Sequence, residues 1–329
     1  EGTVVFPNEP LITVRAPIIQ AQLLETMLLL TTNHQSLIAT KTSRIVKEAQ
    51  GRPVMEFGAR RAHGINAAVE GARAAIIGGA IGTSCTLSAK EFNVPASGTM
   101  AHSWVQSFDS EYEAFKTYAE IYPDDCTLLI DTYNTIESGL PNAIKVFNEV
   151  LKPKGYKPKA VRLDSGDLAY LSKKVRKILD EAGYTECKIC ATNSLDEYLI
   201  KSLIEQDAKI DSFGVGENLI TAKSEPVFGG VYKLVGIEKD TKIIPKIKVS
   251  ENVVKVTNPG FKKVYRFYDN ESQKAIADVI ALSDEIIDER EYMIFDPQNP
   301  WKKKLIKDYT IRELQEKIFE NGKLIYKSP

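Results

Sequence analysis

Ala160-Val161-Arg162-Leu163-Asp164-Ser165-Gly166-Asp167 is the stretch whose reading decides the fold. A short apolar run closes on polar residues, and Asp167 stands where it can cap a following helix. From there to Ala182, Leu168, Leu171, Val175, Ile178 and Leu179 recur at helical spacing, not at strand alternation. Residues 188–191 then read as the next strand. Strand, capped helix, strand is the unit of a parallel sheet with crossover helices.

The unit repeats on both sides. Further strand-like runs stand at 53–57, 81–83, 95–98, 127–131 and 210–214, most of them separated by helical segments. Ser110 with Glu113 and Ser194 with Glu197 have the spacing of capping boxes. Such a sheet binds ligands at the carboxyl ends of its strands, whether it closes into a barrel or stays open and doubly wound. Periodicity alone leaves both forms open. Near-equal units without a dinucleotide fingerprint favour a barrel, one of TIM-like α/β class.

The flanks read differently. Residues 2–14 suggest a hairpin turning at Pro7-Asn8-Glu9-Pro10, and 17–47 a long helix bent near Thr31-Thr32-Asn33. Beyond Gly230, runs at 231–237, 246–249, 262–268, 275–282 and 291–295 suggest antiparallel strands. A late helix is expected over 310–320 and a last strand over 322–326. The expected organisation is a catalytic barrel over 17–229 and a smaller outer α/β domain from 1–16 and 230–329. The chain starts at Glu1 without an initiator methionine, and a hairpin there lacks an opening element. A missing N-terminal segment is therefore expected.

Composition narrows the function. The 329 residues are 43% hydrophobic and 26% charged, and 43 basic residues against 44 acidic ones leave a formal charge of −1. That balance argues against a dedicated nucleic-acid or membrane-surface binder. The longest apolar run, Met27 to Leu30, is far short of the ~20 residues of a spanning helix, and no secretory signal opens the chain. A cytoplasmic location is expected. Four cysteines suit reduced thiols, and the pair Cys187 and Cys190 reads as small hydrophobes on a strand, since no second pair completes a zinc site.

Several polar groups end strand-like runs. Gly98-Thr99-Met100-Ala101-His102-Ser103 presents one of three histidines, the side chain best suited to relay a proton or phosphoryl group near neutral pH. Glu56-Phe57-Gly58-Ala59-Arg60-Arg61 offers two guanidiniums able to clamp a phosphate or carboxylate, or to pair with surface acids. Arg162 and Asp164, two apart on a strand, share a face and suit a phosphorylated sugar, or else form a structural ion pair. Asp131 ends an apolar strand and can orient His102 or bind a metal, unless it merely caps a helix, a task Asn134 with Glu137 performs better. Phe213-Gly214-Val215-Gly216 permits close backbone approach to an anion, although a tight turn is the usual meaning of such a pair. Gly82-Thr83-Ser84 places Ser84 at a strand tip, and His34 and His63 sit in helical contexts without a role.

Jointly these motifs resemble nicotinate phosphoribosyltransferase over 2–329. The resemblance implies an irregular barrel of the type II phosphoribosyltransferase kind, working as a homodimer with sites near the subunit interface. It implies phosphoribosyl transfer from phosphoribosyl pyrophosphate to nicotinate, with ATP as co-substrate and Mg²⁺ as cofactor. His102 matches the histidine that ATP phosphorylates, and Asp131 an acid beside it. Arg162 and Asp164 match catalytic residues, and Arg60, Arg61, Ser84 and Ser103 substrate-binding ones. Asn193, Gly214 and Gly216 match the phosphate loop, and Asp131 and Asp164 are the implied Mg²⁺ ligands. In the related nicotinamide enzyme an aspartate stands where Ser84 stands here; removing that charge favours an acid substrate. The family also carries an N-terminal segment, with an aromatic that stacks on the pyridine ring, that this chain lacks. Two alternatives are a sister enzyme acting on nicotinamide or quinolinate, and a non-catalytic sugar-phosphate sensor in which His102 is idle.

Overall fold

The computed structural model describes residues 1–249, 257–288 and 290–327. The chain divides into two compact units, Glu1–Gly2 with Leu28–Gly230, and Thr3–Met27 with Val231–Pro329. In this division Thr3–Met27 goes with the smaller unit.

Two helices open the chain, α1 (Ile18–Leu23) and α2 (Glu25–Glu48). The break lies at Leu24, not near Thr31-Thr32-Asn33, which stay inside α2. Two threonines lower helix propensity by only tenths of a kcal/mol, about what packing overrides. The larger unit then alternates β1 (Val54–Glu56), α3 (Ile65–Ile77), β2 (Gly82–Thr83), α4 (Thr86–Phe92), α5 (His102–Gln106), α6 (Glu111–Ile121), β3 (Thr127–Leu129), α7 (Leu140–Val146), β4 (Ala160–Leu163), α8 (Leu168–Glu181), β5 (Lys188–Ala191), α9 (Glu197–Glu205), β6 (Ser212–Val215) and α10 (Glu217–Ile220).

The six strands form one parallel sheet in the order β2-β1-β6-β5-β4-β3. With β6 beside β1, this is the cyclic order of a barrel opened at one seam, between β2 and β3. A single parallel bridge, Thr83 to Ala96, adds the expected 95–98 run to the β2 edge. Pro95 lacks an N–H, so the run forms no full strand. The sheet is a curled half-barrel, consistent with the irregular barrel expected. Phe115, Leu128, Phe147, Leu163 and Phe213, from the sheet and the helices around it, are fully buried.

Helix α8 buries Leu168, Val175 and Leu179, and the Asp167 carboxylate accepts from the Tyr170 N–H at 3.0 Å. Ser110 and Asn134 cap as expected, Asn134 accepting from Ile136 and Glu137. The cap of α9 is Asp196, accepting from the Leu199 N–H at 2.8 Å, not Ser194, whose φ of 50° takes it out of cap geometry.

In the smaller unit, β7 (Gly236–Lys239) pairs with β8 (Lys242–Pro245), and β9 (Lys262–Asp269) pairs with β10 (Ala275–Leu282). A hairpin joins β11 (Glu291–Asp296) to β12 (Asn299–Lys307), β13 (Tyr309–Glu313) lies on the free side of β9, and β14 (Phe319–Glu320) meets β15 (Lys323–Leu324). The late helix expected over 310–320 is therefore absent. Tyr309 and Ile311 alternate inward from exposed Thr310 and Arg312, and the β9 edge supplies the ladder. Nor do residues 2–14 form a hairpin: the chain turns after Pro7 at Asn8 (φ 70°) with no strand pairing. Pro7 and Pro10 remove two ladder donors, and the segment is held by side chains instead, Arg266 Nη2 donating to the Val4 carbonyl at 2.6 Å.

Candidate active site

The carboxyl ends of the parallel strands form one rim, and the expected residues gather there in two clusters. The first spans the seam. Asp131 follows β3 with its side chain 1% exposed, and its Oδ1 lies 3.2 Å from His102 Nε2 at the start of α5. Asp131 Oδ2 accepts from the Asp164 N–H at 3.0 Å and from Ser165 Oγ at 2.5 Å. A carboxylate accepts, so for the neutral imidazole the contact assigns the proton to Nε2 and the lone pair to Nδ1. The His102 side chain is 40% exposed, so that lone pair is open to a ligand.

Arg162, on β4, is held from every side. Its Nε donates to Thr192 Oγ1 at 2.9 Å, its Nη1 to Thr99 Oγ1 at 2.8 Å and the Met100 carbonyl at 3.4 Å, and its Nη2 to Asp164 Oδ1 at 3.1 Å. Thr192 also donates to Asp164 Oδ1. Of the five guanidinium protons, one on Nη2 stays unassigned. The pair is an ion pair, and this fork leaves that one N–H for an anion. Ser103 is exposed one residue beyond His102. After β5, Asn193 (φ 87°) and Ser194 (φ 50°) are successive left-handed residues, costly for side chains other than glycine and concentrated at working sites.

The second cluster joins β1, β2 and β6. Glu56 is fully buried, accepting from Thr83 Oγ1 at 2.6 Å and from the Gly58 N–H. Burial pushes its carboxyl above the ordinary value, and those two donors pull against the shift. Gly58 and Gly216 pass so closely that a Cβ on Gly58 would lie 2.7 Å from the Gly216 carbonyl oxygen. Gly214 lies inside β6, where a Cβ would strike the Phe57 ring at 2.5 Å, so packing accounts for that glycine. A cavity of about 400 Å³ opens here, lined by Arg61, His63, Glu217 and Lys223 among others. Arg61 and Lys223 face Glu217 at 3.9 and 3.4 Å. Arg60 is exposed and makes no hydrogen bond or ion pair among the described residues. Ser84 is exposed, with its N–H donating to the Glu56 carbonyl at 2.9 Å.

His63 is not helical as expected; it lies in the turn before α3 and lines this cavity. Sequence reasoning also gave no role to Thr99, Thr192 or Lys223. The four cysteines are free and buried, and burial pushes the Cys187 thiol up to about 12. No group of three or more metal-ligating side chains occurs among the described residues, and no helix there is long and apolar enough to cross a membrane.

A half-barrel with a carboxylate-backed histidine and an arginine–aspartate fork on its rim defines the class, an irregular α/β barrel of the type II phosphoribosyltransferase kind. A model of the nicotinate phosphoribosyltransferase (NAPRTase) family matches residues 53–271, and one of the nicotinate phosphoribosyltransferase C-terminal domain matches 261–329. The chain belongs to the nicotinate phosphoribosyltransferase family. It is 49% identical to a nicotinate phosphoribosyltransferase of Bacillus subtilis, covering 100% of this chain and 67% of that protein. The Dictyostelium discoideum nicotinate phosphoribosyltransferase is 34% identical, with 100% and 64% covered. The crystal structure of human nicotinic acid phosphoribosyltransferase superposes with a TM-score of 0.84 at 25% identity, over 100% of this chain and 72% of that one. The chain thus spans about two thirds of the length of these two curated relatives.

Proposed function

We propose that this chain, within its full-length protein, transfers phosphoribosyl from phosphoribosyl pyrophosphate to nicotinate, coupled to ATP through phosphorylation of His102. The observation that carries the reading is the seam: a buried Asp131 fixing the His102 tautomer beside the Arg162–Asp164 fork. In the coupling step the Nδ1 lone pair attacks the terminal phosphorus of ATP, the P–O bond to ADP breaks, and Asp131 stabilises the imidazole through Nε2–H. In the transfer step the pyridine nitrogen attacks the ribose carbon, and the C–O bond pair leaves with pyrophosphate. Arg162 holds an anionic group, and the cavity of Arg61, His63 and Lys223 suits phosphate. Arg60, Ser84 and Ser103 reach the same rim from β1, β2 and α5, and Asn193 and Gly216 offer backbone turns for phosphate oxygens.

The donors fit Mg²⁺ arriving on a pyrophosphate but not a protein-built cage. Both Asp131 oxygens are engaged, whereas Asp164 Oδ2 has no hydrogen bond among the described residues. Asp164 would hold the ion, which would supply charge neutralisation on the departing pyrophosphate. A homodimer in the cytoplasm is part of the same proposal. It rests on the family resemblance.

The test is turnover by the full-length protein with phosphoribosyl pyrophosphate, Mg²⁺ and either nicotinate or nicotinamide, with and without ATP. Nicotinate mononucleotide forming faster with ATP, and loss of that stimulation in His102→Ala, is the expected result. Stimulation surviving in His102→Ala removes the phosphohistidine. No product from either base, despite tight phosphoribosyl pyrophosphate binding, moves the assignment to a sensor.

A further inference from the structure

The contacts at the seam close into a ring. Thr99 Oγ1 accepts from Arg162 Nη1, Arg162 Nη2 donates to Asp164, the Asp164 N–H donates to Asp131, and Asp131 faces His102. Three residues of backbone lead from His102 back to Thr99. Residues 98–101 make no backbone hydrogen bond to β3. Their place against the sheet is therefore set by side chains, with Arg162 gripping Thr99 and the Met100 carbonyl, and Asp131 gripping His102. On its other side the segment borders a cavity of about 400 Å³ lined by Trp104, Tyr118 and Tyr122, which leaves it room to shift.

We infer that Thr99 is a positioning residue that aims the Arg162 guanidinium and ties its aim to the state of His102. This rests on the phosphohistidine reading above. A phosphoryl group on Nδ1 brings about two negative charges to the ring edge opposite the one that faces the Asp131 carboxylate. Like-charge repulsion moves the imidazole and the short segment behind it. Thr99, three residues away, moves with it, and Arg162 changes partners. Nothing passes through a backbone ladder; the link is the Thr99 hydroxyl at 2.8 Å, with the Met100 carbonyl a longer second contact at 3.4 Å.

The experiment compares Thr99→Val, which removes the hydroxyl at nearly constant shape, with Thr99→Ser, which keeps it. For the full-length protein, KM for nicotinate and for phosphoribosyl pyrophosphate is measured with and without ATP, alongside the thermal midpoint. In Thr99→Val at least one KM rises about tenfold, the size of one hydrogen bond to a charged group. The ratio of KM without ATP to KM with ATP, which this inference expects to exceed one in the native protein, collapses to about one, and Thr99→Ser restores both. A role in folding alone would shift the midpoint and leave the ATP factor intact. If Thr99→Val is too unstable to assay, Thr99→Ala against Thr99→Ser reads the same factor. An ATP factor in Thr99→Val equal to the native one overturns the inference while native turnover stands. A native enzyme whose KM and rate ignore ATP overturns the phosphohistidine reading itself, and this inference with it.

Discussion

Replacing Asp131 by Asn changes one atom and should switch off ATP coupling. The carboxylate serves His102 on Oδ1, at 3.2 Å, and the Asp164 N–H and Ser165 hydroxyl on Oδ2, at 3.0 and 2.5 Å. An amide has one acceptor and one donor end. With its NH₂ towards Asp164 it faces a backbone donor in a buried site, a mismatch costing about 1–3 kcal/mol. With its NH₂ towards His102 the mismatch vanishes, provided Nε2 becomes the acceptor. The second arrangement wins by about tenfold or more, since 1.4 kcal/mol is a factor of ten. It forces the proton onto Nδ1 and removes the lone pair that accepts the phosphoryl group. A wrong tautomer behind a correct geometry costs roughly 10²–10⁴ in rate in carboxylate-backed histidine systems. Folding should lose less than about 2 kcal/mol, because the amide keeps the shape and most of the hydrogen bonds. The assay is transfer of labelled phosphoryl from ATP to the full-length protein, with nicotinate mononucleotide formation followed in parallel. Labelling within twofold of native at an unchanged thermal midpoint would show that Asp131 does not set the tautomer.

Two further outcomes follow from other parts of the chain. Ser84→Asp places a carboxylate at the tip of β2, where an acid substrate is expected, and should raise KM for nicotinate about tenfold through like-charge repulsion; steady-state kinetics unchanged by the substitution would remove Ser84 from the base site. In the smaller unit, burial pushes the Glu9 carboxyl up to about 7, with Asp278 beside it adding to the shift and the Phe6 N–H and Arg266 opposing it. An acid raised in the folded state adds stability below its unfolded value near 4.5 and loses that contribution as pH climbs towards 7. Glu9→Gln should therefore leave the thermal midpoint nearly unchanged at pH 4.5 and raise it at pH 8. Parallel melting curves for the two proteins at both pH values would contradict the assignment.

What the sequence disclosed follows the range of the forces involved. Strands β3 to β6 were legible because each is an apolar run closing on a polar residue, and α8 because its stripe and its cap are both local. The opening hairpin and the late helix were misread for the opposite reason. Pro7 and Pro10 spoil a ladder that alternation alone suggests, and residues 309–313 are a strand because the β9 edge, more than forty positions earlier, offers them hydrogen bonds. The site divides in the same way. His102, Asp131, Arg162 and Asp164 end runs and so drew notice. Thr99 and Thr192 lie 63 and 30 positions from the arginine they hold, and a threonine has no signature of its own. His63 was hidden by its neighbours, since the helical pattern of α3 begins only two residues later.

The seam also explains why the histidine stands where it does. Every other junction of the half-barrel is stitched by backbone hydrogen bonds, whose donors and acceptors do not change during a reaction. Across the seam the contacts shown are made by side chains, Arg162 with Thr99 and Asp131 with His102, and the proposed chemistry alters the charge of one of them, His102. A phosphoryl group placed on a laddered strand would meet a rigid support and change nothing beyond its own contacts. Placed at the one unladdered seam, it acts on side-chain contacts and on a short segment with space beside it. A backbone ladder engineered across the seam, or a disulfide holding 98–101 against β3, should accordingly preserve phosphoryl transfer to His102 while abolishing its effect on substrate affinity.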